Sequence, residues 1–362
     1  MDKNGIKASS MVLAGALLTA FNSVGKGWAS EVLVLIGFII FLLGLKNIKE
    51  LLDEQGKNAI QLVYVAAIIG AISALVGLIP IVGIIATIGL IVAFIFQLIG
   101  YSKLKSSNTI GEIGSKGANL LLISMIIALV GGIIRIIPAI GGVIGTIFSL
   151  VVLVMIITGW RNIQKGIIGE NKVALTSISL ILVGMLLQLG NEASRGWGAA
   201  VAGLIGLILL LIGLKQFRST LDEVGQKAVQ MISVAIYIGL AATVLDFVAS
   251  IVSMGSGLKS LATGDASGMF KAGTLEMIVS LIFIATFIIE LLGFLKLKKS
   301  NTFNETGKSG VNLLVIALII GAFASLFSGV LPIGGNIISS ILGIAGLFFI
   351  LFGWLRVQTS LE

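Results

Sequence analysis

Apolar runs of membrane-spanning length, separated by short polar segments, follow one another along almost the whole chain, and no other feature restricts its fold so strongly. A helix needs ~20 apolar residues to cross the ~30 Å hydrocarbon core of a bilayer. Within that core a helix satisfies its own backbone hydrogen bonds, which lipid cannot do for an open sheet edge. The chain therefore reads as an all-α integral membrane protein. Composition agrees, with 57% hydrophobic and 11% charged residues, against roughly 25% charged in an ordinary soluble chain.

Reading the apolar runs between polar punctuation predicts about twelve transmembrane helices, near 8–23, 30–46, 59–79, 82–101, 118–137 and 141–160, then 172–189, 197–215, 228–253, 275–295, 310–330 and 336–355. The two sets are related by internal duplication. GLKNIKELLDEQGKNAIQ at Gly44–Gln61 returns as GLKQFRSTLDEVGQKAVQ at Gly213–Gln230, and SNTIGEIGSKGANLL at Ser107–Leu121 returns as SNTFNETGKSGVNLL at Ser300–Leu314. Gly159-Trp160-Arg161 likewise matches the region of Gly353-Trp354. The offset grows from 169 (44 to 213) to 193 (107 to 300), so about 24 residues are inserted in the second half, in the Gly/Ser-rich stretch around 254–276. Two six-helix repeats are expected, 1–165 and 166–362, with that insertion as an outer loop. Residues 1–7 have the basic character of a signal-peptide front, but the run after them aligns with 177–193, so it is expected to stay in the fold.

A smaller period lies inside each half. Pro80, Pro138 and Pro332 fall at bends between neighbouring spans, where proline cannot continue a helix. The building block is thus a helical hairpin, used six times. All 24 basic residues except Lys26, Arg135, Arg195, Lys259 and Lys271 fall on the side of the termini and the connectors between hairpins. Basic residues concentrate on the cytoplasmic side, which places both termini there, in the plasma (inner) membrane. An even number of helices per half gives the halves the same orientation.

In the Gly44 connector, Leu45, Ile48, Leu51 and Leu52 recur at helical spacing among Lys46, Lys49, Glu50 and Asp53. This predicts that the second span continues as an amphipathic surface helix ending near Gly56, with a Lys49–Asp53 pair repeated as Arg218–Asp222. Basic side chains beside an anionic leaflet attract it. Lys46, Lys49, Lys215, Arg218, Lys296, Lys298 and Lys299 are accordingly the candidate lipid contacts. Twelve helices in parallel halves, with Asp53-Glu54-Gln55-Gly56-Lys57 and Asp222-Glu223-Val224-Gly225-Gln226-Lys227 after helices two and eight, resemble in outline the major facilitator transporters. The family's leading Gly and its long central loop are absent here. A related motif also recurs at Glu112-Ile113-Gly114 and Glu305-Thr306-Gly307, which assigns it to the hairpin repeat.

Ionisable residues within a bilayer are expensive and mark pathways. Glu290, its counterpart Gln97, Asp246 and Arg135 are the candidates for a polar path, all expected near the interfaces rather than the midplane. Trp28, Trp160, Trp197 and Trp354 are expected to be interfacial anchors. Runs of small residues such as Ala66-Gly70-Ala74, Ser73-Gly77, Gly141-Gly145 and Ser339-Gly343 predict close helix packing. The chain has no Cys and no His, and it carries neither a phosphate-binding Gly-rich motif nor a nucleophile elbow. No enzyme, cofactor or metal is expected, and the aromatics do not interleave with basic residues as a nucleic-acid surface requires. The expected function is a membrane scaffold that contacts lipid, itself or another membrane protein. A channel or transporter passing a small or apolar solute between the repeats is the alternative.

Overall fold

The computed structural model describes the backbone of residues 3–20, 28–76, 83–135, 137, 141–169, 172–193, 197–263, 267–330 and 335–361. Pro80, Pro138 and Pro332 lie outside the described residues. Among the described residues the only regular structure is helical, joined by short connectors, with α1 (Lys3–Ala20), α2 (Trp28–Lys49), α3 (Glu54–Val76), α4 (Gly83–Leu104), α5 (Gly111–Ile134), α6 (Gly141–Ile168), α7 (Val173–Ala193), α8 (Trp197–Arg218), α9 (Glu223–Thr263), α10 (Ser267–Leu297), α11 (Glu305–Val330) and α12 (Gly335–Thr359). A turn of 3₁₀ helix, Asn108–Ile110, leads into α5. Nine helices among the described residues are long and apolar enough to cross a membrane.

Several helices start earlier than their apolar runs. α3 begins at Glu54 rather than at 59, α9 at Glu223 rather than at 228, and α11 at Glu305 rather than at 310. The polar first turn is helical because a side-chain acceptor caps it: Asp53 Oδ1 takes the Gly56 amide at 2.8 Å, Asp222 Oδ1 the Gly225 amide at 2.9 Å, and Asn304 Oδ1 the Gly307 amide at 3.1 Å. This corrects the expected connector. α2 stops at Lys49, and Gly56 lies in the first turn of the next helix. The apolar face of the connector, Leu45, Ile48 and Leu52, is buried in protein rather than spread on a membrane surface. The Gly/Ser-rich stretch also differs from the expected loop, since α9 runs on to Thr263 and α10 begins at Ser267. Extending a helix that already exists avoids the cost of nucleation, so even a glycine-rich segment can join it.

The helices divide into two compact units, Met1–Phe217 with Ile350–Glu362, and Arg218–Phe349. In the first, α1 pairs with α2, α3 with α4 and α5 with α6, each hairpin packs on the next, and α1 also packs on α6 and α7. α1 is covered almost completely, from Ala8 to Leu18, and so is α7 from Leu175 to Leu187 apart from Met185. α4 instead exposes Ile84, Ile88, Ile91 and Ile95, and α6 exposes Val143, Ile147, Val151 and Val154. Each set forms one continuous stripe at helical spacing. Large aliphatic side chains therefore line the outward faces of these helices as well as filling the core, as suits a helix whose outer face meets lipid, where burying an aliphatic group gains little.

Backbone approach holds α1 against α2. A Cβ at Gly15 would fall on the backbone nitrogen of Phe41 and stand 2.7 Å from Gly37 O, and one at Gly44 would meet Val12 N at 2.6 Å. The same contacts join α7 to α8: a Cβ at Gly184 would meet Gly206 O at 2.6 Å, and one at Gly213 would meet Ile181 N at 2.8 Å. Of the small residues expected to pack closely, Gly343 has open space around it and Gly70 reaches only the Ala93 Cβ, at 3.7 Å. The second unit is organised by the long α9–α10 hairpin, with α11 against α10.

Candidate functional site

Two acid-centred clasps occupy the connectors. In the first unit, Asp53 takes hydrogen bonds from Ser107 Oγ at 2.6 Å and from the Asn108 amide at 2.8 Å, while its own amide donates to Thr109 Oγ1 at 2.8 Å. In the second, Asp222 takes Ser300 Oγ at 2.5 Å and the Asn301 amide at 2.9 Å, and donates to Thr302 Oγ1 at 3.0 Å. Each clasp caps one hairpin's first helix and staples it to the connector leading into the next hairpin. The Ser107 hydroxyl, backed by the Gly56, Asn108 and Thr109 bonds, holds the Asp53 carboxyl below the usual carboxylate range. For Asp222, burial pushes the carboxyl up, but the bonds from Ser300, Gly225 and Asn301 outweigh it and the net shift is downward. The Lys49–Asp53 pair expected here does not form. Lys49 Nζ instead donates to Gln61 Oε1 at 2.8 Å, and Arg218 Nη2 to Gln230 Oε1 at 3.1 Å, because the carboxylates are already taken.

The first unit also encloses a polar cluster that reading the charged residues alone missed. Ser10 Oγ on α1 donates to Gln358 Oε1 on α12 at 2.7 Å and lies 3.3 Å from Ser179 Oγ on α7. Gln358 Nε2 donates to Leu175 O at 2.9 Å and to Ser179 Oγ at 3.2 Å. From α6, Gln164 Nε2 donates to Ser10 Oγ at 2.9 Å and Ser9 Oγ at 3.2 Å. Both glutamines are fully buried. Gln164 Oε1 and, one turn earlier on α6, Arg161 Nε are buried without a hydrogen-bond partner among the described residues. The sequence carries a signal for this cluster, since Ser10 and Ser179 are 169 apart and Gln164 and Gln358 stand four residues after Trp160 and Trp354.

Those two tryptophans are core residues rather than interfacial anchors. Trp160 is 2% exposed and meets Phe41 and Tyr101 edge-on at 5.9 and 6.0 Å. Trp354 is fully buried, meets Phe217 at 5.9 Å, and its Nε1 reaches Met185 Sδ at 3.1 Å. A rigid ring buried among aromatics gains dispersion contact that lipid does not replace. The side chains of Trp28 and Trp197 lie outside the described residues.

The candidate path residues do not form one cluster in the first unit. Arg135 Nη2 donates to Ser149 Oγ of the same hairpin at 2.7 Å, while Gln97 Nε2 on α4 donates to Tyr101 Oη at 3.3 Å. In the second unit, Glu290 on α10 is half-buried and has no hydrogen-bond or ion-pair partner among the described residues. The Asp246 side chain lies outside the described residues. Lys46, Lys215, Arg218 and Lys299 are exposed, and Lys49, Lys296 and Lys298 half-exposed. Between α9 and α10, Lys227, Gln230, Met231, Val234, Ile289 and Lys296 line a shallow concavity of about 320 Å³.

These features define a multi-helix protein with membrane-capable helices, a polar core cluster and capped connectors. No family model, curated protein or solved structure matches the chain.

Proposed function

We propose that this chain is a non-enzymatic membrane scaffold of about twelve spans, built as six hairpins in two tandem, parallel repeats (1–165 and 166–362), with both termini on the cytoplasmic side of the plasma (inner) membrane. Matched geometry at matched positions favours the duplication: the Asp53 and Asp222 clasps use the same partners, and Gly15 and Gly184 sit in equivalent close approaches. In this reading Lys46, Lys49, Lys215, Arg218, Lys296, Lys298 and Lys299 face anionic headgroups, and the partner is lipid, a second copy or another membrane protein.

The observation that carries the scaffold reading is the seam between α1 and α7, the first helices of the two proposed repeats. A solute path between these two helices would have to open that seam. Instead both helices are buried there, α1 from Ala8 to Leu18 and α7 from Leu175 to Leu187 apart from Met185, and the Ser10, Ser179, Gln164 and Gln358 side chains bond to one another. Opening the seam would strip buried groups of partners at about 1–3 kcal/mol each. Glu290 is the observation on the other side, because an unpartnered carboxyl within a span is how a transport residue looks. Flux of ions and small solutes through liposomes containing the purified protein separates the two. The scaffold gives no flux above empty liposomes. Flux that changes in Glu290→Gln or Asp246→Asn would replace the scaffold with a channel or transporter.

A further inference from the structure

We infer that the concavity between α9 and α10 binds one anionic phospholipid, its phosphate held between Lys227 and Lys296 and the start of an acyl chain laid over Met231, Val234 and Ile289. The inference rests on the lipid-contacting part of the scaffold reading and is independent of whether solute passes. The two lysines come from different helices and meet at the same concavity, about 320 Å³ in volume. A third cation stands at its edge, since Arg218 donates to Gln230, itself a lining residue. Lys227 is engaged only locally, donating to Glu223 at 2.5 Å across an exposed turn of α9. Such an exposed i,i+4 pair is weak and yields readily to a phosphate.

The wall beneath the cations decides the class of ligand. Met231, Val234 and Ile289 are apolar and continue outward into exposed Tyr237, Ile288 and Leu292 on the same two helices. A free phosphate gains nothing from such a wall, whereas an amphiphile with an anionic head and an aliphatic tail uses both parts. The corresponding place in the first half, by the offsets of 169 and 193, has Asn58 where Lys227 stands and keeps Lys103 where Lys296 stands. It therefore offers one ammonium fewer, and the second-half concavity is the stronger site.

The test is native mass spectrometry of the full-length protein in detergent, titrated with phosphatidylglycerol or with phosphatidylcholine of the same acyl chains. Wild type should retain one phosphatidylglycerol in preference to phosphatidylcholine. The Lys227→Gln/Lys296→Gln double variant should lose about thirtyfold in affinity for it, from about 1 kcal/mol for each basic side chain near an anionic headgroup and about 1.4 kcal/mol per tenfold. Lys227→Arg/Lys296→Arg should keep the preference, and Lys103→Gln should leave it unchanged, with unaltered melting in each variant. Equal retention of the two lipids by wild type would overturn the inference, as would undiminished phosphatidylglycerol binding by a folded double variant. Displacement of the lipid by inorganic phosphate would assign the site to a free anion and overturn it too. Flux with the lipid result intact would remove the scaffold and leave this site standing.

Discussion

The two buried glutamines should be unequal, and the inequality tests whether the polar cluster is organised as the hydrogen bonds indicate. Gln358 makes three bonds, to Ser10, Leu175 O and Ser179, and both ends of its amide are used. Gln164 makes two, both from Nε2, and its Oε1 is left without a partner. Methionine is a fair apolar replacement of similar length. Hydrogen bonds between membrane helices are worth about 0.6 kcal/mol on average and up to about 1.7 kcal/mol. Gln358→Met should therefore cost about 2–3 kcal/mol. Gln164→Met loses about 1–2 kcal/mol of bonding but removes an orphaned acceptor whose burial costs about 1–3 kcal/mol, so its net effect should lie near zero. The double variant should be worse than the sum of the singles. Without Gln358, a turn of the Gln164 amide lets Oε1 accept the freed Ser10 proton, a rescue the double variant lacks. Equilibrium unfolding in mixed micelles against the mole fraction of denaturing detergent, followed by circular dichroism, measures all four proteins. A cost for Gln164→Met equal to or above that for Gln358→Met would refute the assigned network.

Gly15→Ala and Gly184→Ala should each cost about 1–3 kcal/mol in the same unfolding assay, because the added methyl collides with backbone rather than a movable side chain; Gly343→Ala, in open space, should be neutral or gain up to about 1 kcal/mol in helix propensity. The Asp53 and Asp222 carboxyls are depressed in the folded state, so their contribution is full above the unfolded value of ~3.9 and is lost as pH falls through the lower folded value. Melting temperature should fall more steeply below about pH 4 in wild type than in Asp53→Asn/Asp222→Asn, and parallel curves would contradict the clasps. In variants keeping only Trp160 or only Trp354, brominated lipids should leave fluorescence largely unquenched, since both rings are buried among protein side chains; strong quenching would return them to the interface.

What the sequence made legible was whatever lipid and capping chemistry write locally. Long apolar runs are readable because crossing a bilayer would demand such length, and the nine helices among the described residues that are long and apolar enough to cross a membrane follow them closely. The ends were misread where a polar turn is helical. Hydropathy excludes Glu54-Gln55-Gly56-Lys57, yet Asp53 caps that turn and Ser107, far along the chain, fixes the cap. The clasp partner was in plain view as the duplicated Ser-Asn-Thr, but its distance of 54 residues from Asp53 (53 to 107) can be bridged only by knowing which connectors meet. The close-packing glycines were missed for a similar reason. Gly37 and Gly44 lie seven apart and each meets a different turn of α1, so no local small-x-x-x-small pattern marks them.

The larger miss was chemical. Searching for charge inside a membrane finds Glu290 and Arg135, because charge is the costliest thing to place there. It passes over Ser10, Ser179, Gln164 and Gln358, which are neutral, common on helices and unremarkable one at a time. Their meaning lies in convergence. A glutamine fully buried in an apolar surrounding must find partners from other helices, and a partner must be matched in height as well as in direction. The network therefore ties the relative height of α1, α6, α7 and α12 to a few hydrogen bonds, where aliphatic packing alone tolerates sliding. In a protein whose outer faces are stripes of Ile and Val, register is the property that apolar contact specifies least, and a shared polar cluster specifies it best. The spacing of Ser10 and Ser179, which equals the 169-residue offset of the matching connectors, is thus a better sequence sign of this buried cluster than isolated charge.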